Sequence, residues 1–141
     1  MTTKEMAQSY IRTAEHSLKQ ARLAYDDGLW HLAVRRSQES VEPALKGVLR
    51  LLGLEVLRVH DVSFFLMEHR SRFPSWFQVQ TDKLSYISRG LRKDRELSLY
   101  RDEEMALPPD LIFSKFDAEE ALKNAQFVLE HSKRLLEEFT T

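Results

Sequence analysis

The sequence predicts an all-α fold: an up-and-down bundle of four to five helices, in one domain covering residues 1–141. Three observations predict it. Apolar residues recur at three- and four-residue steps through long stretches, the signature of an amphipathic helix. Only four glycines and four prolines interrupt the chain, too few for the many turns of a sheet protein. Finally, capping residues stand before several of the periodic stretches, and glycines follow the first two.

The first helix starts at Thr2, which with Glu5 spells a capping box, a hydroxyl and a carboxylate that satisfy free amides at a helix start. Its stripe is Ala7, Tyr10, Ala14, Leu18, Ala21 and Tyr25, and Asp27-Gly28 ends it, with glycine supplying a left-handed residue. A second helix runs from Leu29 to Leu52 along Ala33, Ser37, Val41, Leu45 and Val48, and Gly53 closes it. The turn between them is short, so the two form an antiparallel hairpin. Pro43 lies inside the second helix, where it removes an amide donor, so a kink or a break is expected.

Asp61 is the N-cap expected of a short third helix in HDVSFFLMEHRSRF, and Pro74 bounds it. A fourth helix is expected from about Ser75 to Tyr100, carrying Leu84, Ile87, Leu91 and Leu97. Residues 101–116 then read as a long loop, because Pro108-Pro109 stops a helix. The last helix opens with Asp117 as its cap and carries the cleanest stripe of the chain, from Ala118 through Val128 and Leu135 to Phe139.

Charge and composition exclude several functions. The formal net charge is −1, which gives no global field toward nucleic acid or an anionic membrane, so an anion site requires a local cluster. Without cysteine there is no disulfide or thiolate metal site, and the absence of an apolar leader or spanning run makes the cytoplasm the expected compartment. Dispersed glycines exclude a phosphate-cradling loop. His60-Asp61 is similar to the core of a metal-dependent phosphohydrolase motif, but further ligands at suitable positions are missing; no metal, cofactor or catalytic residue is assigned.

One local cluster is unusual. Residues 89–101, RGLRKDRELSLYR, hold five basic and two acidic side chains. Arg92, Arg95 and Ser98 follow at three-residue steps and share a helix face, where paired guanidinium groups suit a phosphate. Tyr100 offers a ring for stacking on a base, and Arg101 extends the cluster. The alternative is a solvated face with intrahelical pairs such as Arg92–Glu96.

The hairpin segment AEHSLKQARLAYDDGLWHLAVRRSQESVEPALKGVL, the HD at His60-Asp61 and LYRDEEMALPPDLIFSKFDAEEALKNAQFVLE together resemble the HEPN (higher eukaryote and prokaryote nucleotide-binding) family, in its stand-alone prokaryotic type. The resemblance covers nearly the whole chain. It implies a helical bundle, usually a homodimer, often working beside a minimal nucleotidyltransferase in a toxin–antitoxin pair, with nucleotide or RNA as ligand and no membrane. Ribonuclease members of the family carry an arginine followed, after four to six residues, by a histidine. Here Arg92 fills the arginine position and Tyr100 that of the downstream tyrosine, but Ser98 stands where histidine is expected. Serine cannot serve as imidazole does in proton transfer near neutral pH. Pro43 is a second departure from the family's uninterrupted helix. A non-catalytic module that binds a nucleotide or a partner is therefore expected. The alternative is a metal-independent ribonuclease whose base lies elsewhere, at His60 or His69.

Overall fold

The computed structural model describes residues 2–56 and 62–139, apart from the side chains of Ser98 and Asp102. The described residues form six α-helices, α1 (Thr3–Asp26), α2 (Trp30–Leu51), α3 (Val62–Glu68), α4 (Ser75–Gln78), α5 (Thr81–Glu103) and α6 (Lys115–Phe139), and two 3-10 turns. No strand occurs among the described residues. Four helices are long, with 24, 22, 23 and 25 residues in α1, α2, α5 and α6.

α1 starts as expected, with the Glu5 amide donating to Thr2 Oγ1 at 3.1 Å. It ends at Gly28, whose φ of +74° is the left-handed value that turns the chain into α2. The α1–α2 hairpin brings its backbones close at Gly47, where an added Cβ would meet Ile11 Cγ1 at 3.1 Å and the Ala7 carbonyl oxygen at 3.2 Å. Serines on the buried faces keep the approach tight and satisfy their hydroxyls on the backbone: Ser37 on Ala33, Ser132 on Val128, and Ser40 across the hairpin on Ala14. α2 is unbroken through Pro43. α6 packs along the hairpin, and α5 packs against α2 and α3, so α2 is the helix shared by both halves of the core. Val41, Leu45, Val48 and Leu49 of α2 are buried with Leu84, Ile87 and Leu91 of α5 and Val128 and Leu135 of α6.

Three boundaries differ from the expectations. The helix expected from Ser75 is two, because Thr81 Oγ1 donates to the Gln78 carbonyl at 2.8 Å and Gln78 Nε2 to that of Phe73 at 2.7 Å, which closes a separate turn around buried Phe77. α5 runs on to Glu103, so the loop before α6 shortens to residues 104–114 and carries a 3-10 turn at Pro109–Leu111. The cap of α6 is Ser114 rather than Asp117. The Asp117 amide donates to Ser114 Oγ at 3.2 Å, while Asp117 Oδ2 accepts from the Ser114 amide at 2.8 Å. His60 and the expected N-cap Asp61 lie outside the described residues.

Candidate functional site

α5 changes character at Leu91. Up to that residue its inner face is buried; from Arg92 to Glu103 none of its described residues is. Leu97, expected in the core, is 39% exposed. The stripe Ser88, Leu91, Arg92, Arg95, Glu96 and Leu99 therefore faces a groove rather than a core. Its opposite wall is Gln38, Val41 and Glu42 of α2, with Val62 of α3 completing a space of about 360 Å³. That volume lies near the lower end of small-molecule sites, roughly 300–1,000 Å³.

Arg92 and Arg95 line this groove together, as their three-residue spacing predicts. Arg95 makes no ion pair or hydrogen bond among the described residues. Of the other predicted residues, Ser98 lies in α5 with its side chain outside those described. Tyr100 is 55% exposed and does not line the groove. Arg101 is engaged in the fold: its Nη1 donates to the Ile112 carbonyl at 3.3 Å and holds the loop before α6 against the end of α5. No group of three or more histidine, aspartate or glutamate residues among those described is arranged to hold a metal ion.

Sequence reasoning missed the α2 wall. Gln38 is only 8% exposed. Its Nε2 donates to Glu42 Oε2 at 3.2 Å, while its Oε1 is buried with no hydrogen-bond partner among the described residues. The signal was available: Gln38 occupies a polar position in the otherwise apolar progression Val34, Val41, Leu45. Glu42 also pairs with Lys46 at 3.4 Å, so its charge is largely answered within α2.

A second, water-sized cavity of about 10 Å³ adjoins the groove and shares Gln38, Leu91 and Arg95 with it. His31, Arg35 and Asp94 complete its polar lining. His31 Nδ1 is buried and 3.8 Å from Asp110 Oδ1, too far for a hydrogen bond. Burial, and then the negative charge of Asp117, raises the Asp94 carboxyl above the ordinary aspartate range. His69, the described candidate for a distant base, stacks on Phe65 and lines neither cavity.

The model of the HEPN domain matches residues 7–135 of the chain. The chain belongs to the HEPN domain family. The fold agrees with that of TT1696 from Thermus thermophilus, whose crystal structure superposes with a TM-score of 0.63 at 24% identity, covering 91% of this chain and 96% of that one. No curated protein matches the chain. Among the described residues, no helix of this HEPN domain is long and apolar enough to cross a membrane.

Proposed function

We propose that this HEPN domain is a non-catalytic module that binds a nucleotide in the groove between α2 and α5, with Arg92 and Arg95 taking the phosphate. One observation carries the reading: Arg92 and Arg95 both line one groove of mononucleotide size, and Arg95 makes no ion pair among the described residues. An arginine without a counter-ion beside a partly apolar cleft is prepared for a charge-assisted hydrogen bond to an oxyanion. The described lining residues include no histidine, and His60, two residues before Val62, lies outside the described residues. Membership of the family supports a homodimer and a nucleotidyltransferase partner in a toxin–antitoxin pair. Exposed Tyr100, beyond the groove on α5, is available in that setting for stacking or modification.

Thermal unfolding of the pure protein with nucleoside monophosphates tests the proposal. Saturation at 100 times Kd stabilises a fold by roughly 2.7 kcal/mol. A rise of several degrees that Arg95→Ala abolishes is the expected result. The absence of any shift at millimolar nucleotide overturns the reading. Cleavage of RNA by the wild type, lost in Arg92→Ala and indifferent to chelator, would replace it with the ribonuclease.

A further inference from the structure

The groove is not a plain anion site. Alongside the two arginines it holds an acceptor without a protein donor. Glu96, adjacent to Arg95 in α5, lines it and makes no hydrogen bond or ion pair among the described residues. An inorganic phosphate would meet the arginines but leave this acceptor unanswered, with the Glu96 carboxylate repelling it. A ligand bearing an ammonium would answer Glu96 only by placing a cation beside Arg92 and Arg95. The groove therefore asks for a molecule that is anionic at one end and presents uncharged N–H donors at the other. Val41, Val62, Leu91 and Leu99 supply apolar lining for a ring between the two ends.

From this set we infer that the α2–α5 groove selects a guanine mononucleotide, with Arg95 on the phosphate and the Glu96 carboxylate reading the base. Guanine presents two adjacent uncharged donors, N1–H and the 2-amino group, which match the two oxygens of a carboxylate. Adenine and cytosine offer an amino group beside a ring acceptor, which a carboxylate repels, and uracil offers a single N–H. A site built to accept a hydrogen bond discriminates strongly against analogues that lack the donor, because its own polar group is then left unpaired. This inference rests on the groove binding nucleotides at all, and the test separates the two claims.

Calorimetric titration of the full chain with GMP, IMP, AMP and UMP, and with inorganic phosphate, reads both. GMP is expected to bind at least about tenfold more tightly than IMP, which lacks the 2-amino group, a difference of about 1.4 kcal/mol. Glu96→Gln, a change at an exposed position, is expected to bring the two close to parity while leaving residual phosphate-dependent binding. Arg95→Ala is expected to weaken every nucleotide alike. If AMP or UMP equals GMP on the wild type, or the guanine preference survives Glu96→Gln, the base-reading inference falls, and an Arg95 dependence in the same data leaves the phosphate site standing. If neither nucleotide nor phosphate binds, both claims fall together.

Discussion

Two glycines inside long helices are expected to respond oppositely to the same added methyl group. At Gly47 in α2, a Cβ would stand 3.1 Å from Ile11 Cγ1, 3.2 Å from the Ala7 carbonyl oxygen and 3.3 Å from Tyr10 Cβ. The last two atoms belong to, or lie next to, the α1 backbone and cannot swing aside, and Ile11 is itself buried. Relief therefore requires α1 to shift bodily by a few tenths of an ångström. Alanine gains up to about 1 kcal/mol in helix propensity, but overpacking a tight contact costs about 1–3 kcal/mol. The overlap wins, and Gly47→Ala is expected to destabilise the protein by about 1 kcal/mol. At Gly90 in α5 nothing lies within 4 Å of the added carbon, so only the propensity term acts. Gly90→Ala is then expected to stabilise by about 0.5–1 kcal/mol. For 141 residues the unfolding entropy is near 0.3 kcal/mol per degree, so the shifts are about 3 °C downward and about 2–3 °C upward. Urea and thermal unfolding followed by circular dichroism read them directly. A Gly47→Ala protein as stable as the wild type, or both variants moving in one direction, would refute the close packing of α1 on α2.

Phe77 is fully buried beneath the α4 turn, and Phe77→Ala is expected to cost about 3–5 kcal/mol by urea unfolding; a cost below about 1 kcal/mol would mean the turn does not anchor α5. Ser114→Ala removes the α6 cap and should cost about 1 kcal/mol, whereas a neutral result would return the capping role to Asp117. The raised pKa of Asp94 means the fold disfavours its ionised form: that contribution is present below the ordinary aspartate range and is lost as pH rises through the raised value. Asp94→Asn should therefore be more stable than the wild type at pH 7, with the gap closing in acid; a variant less stable at pH 7 would contradict this. Arg101→Gln should leave nucleotide affinity near that of the wild type while speeding proteolytic cleavage within residues 104–114. An affinity loss as large as that of Arg95→Ala would instead put Arg101 in the groove.

The long helices were legible because their periodicity and the core are one fact seen twice. Ala7, Ala14, Leu18 and Ala21 of the α1 stripe and Ala118, Ala121, Ala125, Val128 and Leu135 of the α6 stripe are all buried. The break before α5 was not legible, since Val79-Gln80 contains neither glycine nor proline and the interruption depends on side chains of Gln78 and Thr81 reaching local carbonyls. The end of α5 was misjudged because the apolar pattern fails after Tyr100, ahead of Pro108-Pro109, whereas the backbone ladder needs no apolar stripe: the Glu104 amide still donates to the Tyr100 carbonyl at 2.7 Å. Arg92 and Arg95 were legible as neighbours from spacing along one helix. Gln38 and Glu42 were not, because a groove has two walls and the opposite one comes from a segment about fifty residues earlier, through packing that a local reading of charge cannot see.

The outer half of α5 is a beam resting on two supports: Leu91 sunk in the protein interior, and Arg101 hooked to Ile112. Between them the described residues of the span are exposed apart from half-buried Asp94, which lines the small cavity with His31 and Phe113. The width of the cleft beneath is thus governed by the bending of one helix and not by close-packed matter, and it adjusts at small energetic cost. A guest bridging the two walls would prop the beam at mid-span, and stiffness gained there would be felt at Tyr100 near the far support.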